Sequence, residues 1–415
     1  MARALDPSEV VRARLTAPGP KRILAIDGGG VRGALAIGML TRLEATLRAR
    51  LGRPKLVLAD YFDLIGGTST GAIIAAGLAL GRDCANLENL YRRMGPRVFG
   101  PGLRVPLVQA RFNPGRLRAL LEEELGPETL GTAPWQTGFA AIAKRVDTGS
   151  PWVLTNSPAA KYWLGDPGEV AAGGDPDARA VVANKDYPLA KVVQASAAAP
   201  FFFDLVSVEV IRGRPGIFFD GAISPHNLPA LQLAMTALVP AYGFGWRAGA
   251  DRLMIVSVGT GQARPRQSRW VGRRMLSLWK AMTALMSLGY DSGQLVVSLM
   301  QWLGTSPQPW MINSEVGDLS GVAPGPPLWT FVRYDAPLEE EWLENVLGAA
   351  PSARLIKAYH RIDGAANIPA LVALGEAVGD KLIKPDHFPG RFDPPEPASP
   401  PAPAKGKGRA RRKAP

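Results

Sequence analysis

The sequence predicts an α/β protein built as a three-layer α/β/α sandwich around a mainly parallel central sheet, followed by a helix-rich C-terminal part. Three observations predict it. Short apolar runs alternate with amphipathic helical stretches over the first 260 or so residues, as expected for a sheet covered by helices. Two of those runs end in glycine-rich turns that lead straight into helical sequence. A third run, 253–258, is apolar at five of its six positions and reads as a strand buried on both faces.

Taken in order, residues 22–26 form a short apolar strand, and 34–50 a helix with apolar positions near Leu35, Met39, Leu43 and Leu47. A second strand over 61–65 runs through Gly66-Gly67-Thr68-Ser69-Thr70-Gly71 into a helix over 72–80. Strands follow at 139–146 and 152–155, a helix at 189–197, a short strand at 216–219 and a helix at 228–239. The Gly- and Asp-rich stretch 163–184 reads as an excursion between two elements. After the strand at 253–258 the pattern turns helical. Met275, Leu278, Trp279, Met282 and Met286 recur at helical spacing behind Arg264, Arg266, Arg269, Arg273 and Arg274. That stripe either packs on the main unit or lies on a lipid surface. One more strand is expected at 329–334 and a closing helix at 367–383. The expected organisation is an N-terminal extension at 1–21, a core at 22–261, the helix-rich part at 262–391 packed on it, and a disordered basic tail at 392–415.

Bulk composition narrows the function classes. With 415 residues, 47% hydrophobic and 20% charged, the chain is a folded globular protein with room for a sizeable core. A single cysteine, Cys84, excludes a disulfide framework and a Cys-based zinc or iron-sulfur site. The three histidines are widely separated, so no metal and no cofactor is expected. The N-terminus has no signal-like apolar stretch, and the uncharged windows 64–81 and 221–246 are broken by glycines and prolines. A cytoplasmic chain with no membrane-spanning helix is the expectation. Six of the twelve net positive charges lie in residues 404–415. Such a tail binds polyanions weakly or is drawn to anionic lipid, which allows peripheral membrane contact. No module for specific nucleic-acid recognition is present. The sequence leaves the oligomeric state open.

Three motifs carry chemistry. Gly67-Thr68-Ser69-Thr70-Gly71 has the Gly-x-Ser-x-Gly form of a nucleophile elbow, whose small neighbours permit a sharp strand-to-helix turn that exposes the serine oxygen. Asp27-Gly28-Gly29-Gly30-Val31-Arg32-Gly33 also lies between a strand and a helix, and its successive glycines let backbone N–H groups converge on an anion. It lacks the spacing of a dinucleotide-binding or nucleotide-phosphate loop, so an oxyanion hole serving the nearby serine fits better. The third motif is Phe218-Phe219-Asp220-Gly221-Ala222, a carboxylate at a strand end. A serine nucleophile needs a base. His360 or His387 could complete a Ser-His-Asp triad of the α/β-hydrolase order, although only two strands fit ahead of Ser69. Alternatively Asp220 takes the proton directly, which requires apolar surroundings to raise its pKa.

Together, the Asp-Gly-Gly-Gly-x-Arg-Gly loop, the elbow some 40 residues later, Ala195-Ser196-Ala197-Ala198-Ala199-Pro200 and the late Asp-Gly-Ala resemble the patatin-like phospholipases. The resemblance covers 22 to about 261. It implies a patatin-like fold and a metal-independent lipid acyl hydrolase acting on phospholipids or related lipids. In that reading Ser69 is the nucleophile and Asp220 the base of a Ser-Asp dyad, Gly28, Gly29 and Gly30 donate the oxyanion hole, and Arg32 supports them. Asp27 would stabilise the turn and 195–203 would wall the site. Relatives often carry glycine where Ala222 stands. The rival readings are a non-catalytic anion-binding protein with a vestigial serine site, the histidine triad, and an acyl hydrolase switched on by a partner or small signal.

Overall fold

The computed structural model describes residues 6–99, 113–165, 181–200, 202–262, 264 and 277–395. Among them, eight strands form one sheet: β1 (Lys21–Ile26), β2 (Leu64–Thr68), β3 (Gly138–Arg145), β4 (Pro151–Thr155), β5 (Val206–Ile211), β6 (Arg214–Asp220), β7 (Leu253–Val258) and β8 (Thr330–Tyr334). The order is β5-β6-β3-β2-β1-β7-β8, with β4 also paired to β3. From β3 to β8 every pairing is parallel. The other end, formed by β4, β5 and β6, is antiparallel.

Helices cover both faces, which is why β1, β7 and β8 are buried at every position, and why 23–26 and β7 read as apolar runs. Successive strand residues point to opposite faces, and β2 shows how close the two layers come. A Cβ added to Gly66 would meet Leu233 of the helix Ala230–Leu238 at 2.6 Å; one added to Gly67 would meet the Gly71 carbonyl at 2.2 Å. This explains a difference from the expected strand at 61–65. Residues Leu58–Tyr61 make a short helix, and β2 instead continues through the glycines, where no side chain fits between the layers.

Two further differences have plain causes. The strand expected at 216–219 extends over Arg214–Asp220 and pairs with β5, whose strict alternation of buried Val206, Val208 and Val210 with exposed polar residues makes it half-buried rather than apolar. The N-terminal extension carries a helix, Pro7–Thr16, capped by Asp6 and seated through buried Val11 and Leu15, with Trp246 donating its indole N–H to Leu15 O at 2.8 Å.

The C-terminal part contributes β8 to the sheet, a long helix Ser277–Trp302, and Ile368–Leu382, which crosses the helix Gly33–Leu51. At that crossing a Cβ on Gly38 would lie 2.2 Å from Val372 O, and one on Gly375 2.1 Å from Leu35 O. The first residues of the tail expected from 392 are instead docked on the sheet and its helices. Phe392 is buried, its carbonyl accepts from Arg22 at 3.1 Å, and Asp393 pairs with Arg50. Residues 396–415, the middle of the 163–184 excursion and the arginine run beyond Arg264 lie outside the described residues, as do the side chains of the 275–286 stripe. No helix among the described residues is long and apolar enough to cross a membrane.

The backbone contact at the helix crossing gives a direct expectation. Gly375→Ala should destabilise the protein by about 1–3 kcal/mol in urea unfolding, although alanine is the better helix former, because the methyl group must push the two helices apart.

Candidate active site

β3 brings together the ends of two strands distant in sequence. One edge of β3 pairs with β4 over Ala140–Lys144. The opposite edge pairs with parallel β2 as far as Thr68↔Ile142, and then with antiparallel β6 from Asp220↔Ala143 onward. β2 and β6 therefore meet C-terminus to C-terminus in one lane. Ser69 follows Thr68, so the serine and Asp220 face each other across the junction.

At Ser69 the chain turns into the helix Thr70–Ala79 with φ 57° and ψ −128°. Ser69 and Leu319 are the two non-glycine residues with positive φ among those described. Such a conformation costs about 1–3 kcal/mol and persists only where the surroundings fix it. Here they do. The Ser69 N–H donates to Ser196 Oγ at 3.0 Å, and Ser196 Oγ in turn donates to Ile142 O at 2.6 Å. Thr68 Oγ1 donates to His226 O at 2.6 Å. The elbow glycines are explained by clearance: a Cβ on Gly71 would stand 2.3 Å from Ile26 O.

Ser69 Oγ donates to Asp220 Oδ2 at 2.6 Å, and Asp220 Oδ1 accepts from Ala222 N–H at 2.8 Å. The Asp220 N–H is held by Ala198 O at 3.0 Å, so the 195–200 segment touches both members of the pair. Asp220 is 1% exposed. Burial drives its pKa up to about 7, and the Ser69 and Ala222 hydrogen bonds only partly oppose that.

The triple-glycine loop borders this pair, since a Cβ on Gly28 would come within 3.1 Å of Ser69 Cβ. Gly28 departs from the expectation that all three glycine amides are available. Its N–H donates to Asn227 O at 3.1 Å. The Gly28 carbonyl accepts from Thr260 Oγ1 at 2.8 Å, and the Gly29 N–H points to Thr70 Oγ1 at 3.3 Å. Gly30, at φ 60°, begins the turn Gly30–Arg32 that leads into the helix Gly33–Leu51. Arg32 is a cation whose Nε is buried without a hydrogen-bond partner among the described residues; burial lowers its pKa and Asp335 opposes this.

Asp27 is engaged elsewhere. It pairs with Arg333 at 2.7 Å, and Arg333 also binds Asp335 and Ser257, each at 2.7 Å. Burial raises the Asp27 carboxyl, against the pull of Arg333. The histidines make other contacts: His360 Nε2 lies 2.7 Å from Leu338 O and His387 Nδ1 2.9 Å from Tyr334 Oη, while His226 meets the elbow through its carbonyl. Among the described residues no three His, Cys, Asp or Glu side chains gather as a metal would need.

Sequence reading missed Ser196 as the acceptor for the Ser69 amide, and missed Asn227, Thr260 and the Arg333–Asp335 pair. One signal was available. Gly259-Thr260-Gly261 closes the apolar strand β7 in the same way that the other glycine turns close β1 and β2.

The patatin-like phospholipase family profile matches residues 24–234, which include Gly28, Ser69 and Asp220 but not Thr260 or Arg333. A cGAMP-activated phospholipase of Vibrio cholerae is 41% identical over 78 residues, 19% of this chain and 22% of that protein. Patatin-like protein 1 of Oryza sativa subsp. indica is 37% identical over 139 residues, 29% and 33% of the two chains. A cUMP-AMP-activated phospholipase of Escherichia coli is 30% identical over 209 residues, 50% and 56% of the two. The matched stretches thus span between about a fifth and just over half of these relatives' own lengths.

The raised Asp220 pKa has a consequence for stability. The native state holds a proton that the unfolded chain, titrating near 3.8, releases between about pH 4 and pH 7, so stability falls as pH rises through that window. Asp220→Asn removes this loss. The variant should be more stable than the native protein at pH 8, on the order of 1–3 kcal/mol, with the difference growing from about pH 4 to about pH 7 in urea titrations.

Proposed function

Because the chain belongs to the patatin-like phospholipase family, we propose that it is a lipid acyl hydrolase that releases fatty acids from phospholipids or related lipids through an acyl-enzyme. The observation that carries this reading is the 2.6 Å hydrogen bond from Ser69 Oγ to a carboxylate sealed from water. A serine hydroxyl is a weak nucleophile unless a base removes its proton as it attacks. Asp220, with a pKa of about 7, is a far better base at neutral pH than an ordinary aspartate.

In this mechanism Ser69 Oγ attacks the ester carbonyl while its proton passes to Asp220 Oδ2. The tetrahedral intermediate carries a negative oxygen, stabilised by N–H groups of the glycine loop. The Gly28 N–H is already bound to Asn227 O, so Gly29 and Gly30 supply the donors and Gly28 supplies clearance beside Ser69. Arg32 supports the loop as its nearest cation along the chain. The intermediate collapses as Asp220 returns the proton to the leaving alcohol. Water then attacks the acyl-serine, giving its proton to Asp220, and the fatty acid leaves as Ser69 recovers its own. The rivals lack comparable support: a histidine triad finds no hydrogen bond between Ser69 and an imidazole, and a vestigial site would not need the strained turn.

Peripheral membrane contact belongs to the same proposal. Leu288 and Leu295 are 63% and 58% exposed, seven residues apart on one side of the helix Ser277–Trp302. The sequence from 262 to 290 carries six basic residues and no acid, and the exposed Asp291 then stands between the two leucines on the same side of the helix. Two exposed leucines on a helix preceded in sequence by a basic run suit an anionic lipid surface. The relatives named for activation by cGAMP and cUMP-AMP favour a second, compatible reading, in which a cyclic dinucleotide switches the hydrolase on.

Ser69→Ala and Asp220→Ala should each lower turnover of a short-chain acyl ester by at least about 10³-fold, and fatty acid release from mixed liposomes, followed by mass spectrometry, should vanish with them. Undiminished turnover in either variant defeats the dyad. For the native enzyme, kcat/KM should rise with pH through an apparent pKa near 7, as the base form of Asp220 becomes populated. Leu288→Glu with Leu295→Glu should cut liposome hydrolysis several-fold and leave the soluble ester unaffected. Assays with added cGAMP and cUMP-AMP test the second reading, which an unchanged rate would remove.

A further inference from the structure

The peptide joining Gly28 to Gly29 is held at both edges. On one side the Gly28 carbonyl accepts from Thr260 Oγ1 at 2.8 Å; on the other the Gly29 N–H reaches Thr70 Oγ1 at 3.3 Å. In a trans peptide the C=O and N–H point in opposite directions and rotate as one rigid unit. Whatever fixes the carbonyl therefore fixes where the N–H aims.

We propose that Thr260 is a positioning residue, which holds the Gly28 carbonyl so that the N–H of Gly29 is aimed at the oxyanion that forms on the substrate. The proposal rests on the reading of Ser69 as nucleophile and adds to it a residue outside the stretch that matches the family. Glycine flanks this peptide on both sides, and glycine places almost no steric limit on rotation of the plane, so the loop itself cannot hold the amide in one direction. An external anchor is required. Thr260 qualifies because it is itself fixed: the Gly259 N–H donates to Tyr334 O at 2.8 Å, and the Gly261 N–H donates to Asp335 Oδ1 at 2.9 Å. Asp335 is tied through Arg333 to Asp27, the residue that opens the loop. The anchor and the loop thus belong to one buried network.

Two features suit the hydroxyl to this task. A carbonyl that accepts a hydrogen bond makes the N–H of its own peptide a stronger donor, so Thr260 strengthens as well as aims the amide. The present partner of that amide, Thr70 Oγ1, is beyond the usual 2.7–3.2 Å range, which leaves a weak contact for a charged oxygen to displace. Threonine also packs against the loop, since a Cβ on Gly29 would stand 2.2 Å from Thr260 Oγ1 and 3.0 Å from Cγ2. Packing alone is the competing role, and the two roles separate by chemistry: serine keeps the hydroxyl and loses the methyl, alanine loses both, and valine keeps the bulk without a donor.

The test compares full-length Thr260→Ser, Thr260→Ala, Thr260→Val and Ser69→Ala on a soluble acyl ester, with unfolding midpoints recorded for each. A trifluoromethyl ketone of matching chain length, which forms a charged tetrahedral adduct with a serine nucleophile, serves as the second probe. Thr260→Ala and Thr260→Val should lower kcat by about 10- to 100-fold with KM little changed, and weaken ketone inhibition by a similar factor. Thr260→Ser should stay within about threefold of the native enzyme on both measures. If alanine leaves a fold too weak to assay, valine carries the comparison with serine. Equal losses in Ser, Ala and Val, a loss confined to KM, or native kcat in Ala or Val would overturn the proposal. Native turnover in Ser69→Ala would instead overturn the nucleophile reading beneath it.

Discussion

Asp220 is cut off from water, and an ionised carboxylate there must be stabilised by what the protein supplies. It has two donors, the hydroxyl of Ser69 and the N–H of Ala222, and among the described residues no cation contributes to its environment. Asp27, also buried, at the start of the glycine loop, has Arg333 at 2.7 Å. Burial raises both carboxyls, each to about 7, and what separates them is the partner. Asp27 is matched with a permanent positive charge and stays a fixture of the loop. Asp220 meets a serine hydroxyl instead, and that contact is the condition the proposed proton transfer needs.

That condition depends on the sheet. β3 carries β2 and β6 in a single lane, and the gap between Ile142 and Ala143 sets the separation of the serine from the carboxylate. Hydrogen-bonded strands hold their register far better than loops, so the pair is positioned by strand pairing. The strained backbone of Ser69 is the local counterpart. An unfavourable φ is tolerated because Ser196 bonds the serine amide and because glycines at 67 and 71 let the helix close onto β1 and β2. Stability is given up at one residue and recovered from the packing around it.

The sheet beyond the family-matched stretch adds a second level of control. β7 and β8 bring Thr260, Arg333 and Asp335 behind the glycine loop, and their bonds run to Gly28 O, Asp27 and the Gly261 amide. A buried polar network of this kind is stabilising only when its members are paired, and it then fixes one arrangement of the backbone it touches. The C-terminal part, read from sequence as helix-rich packing material, is through β8 and the residues after it bonded to the loop.

The strand-turn-helix units at 22–50 and 61–80, the strand at 253–258 and the closing helix were legible because periodicity and glycine punctuation are local properties. So were Ser69, Asp220 and the glycine loop as candidates, since each occupies a turn whose residue types are dictated by clearance. The half-polar β5, the true start of β2 and the docking of Phe392 were not legible, because each depends on which surface the chain meets. The same holds for the site. Sequence alone determined that a serine, a carboxylate and a glycine loop were available. Only the tertiary structure decided that Ser69 and Asp220 share a proton-bearing contact, that the Gly28 amide is already engaged, and that Thr260 and Arg333 stand behind the loop. Strand register and burial arise between segments far apart in the chain, and no local pattern of residues encodes a distance across the sheet.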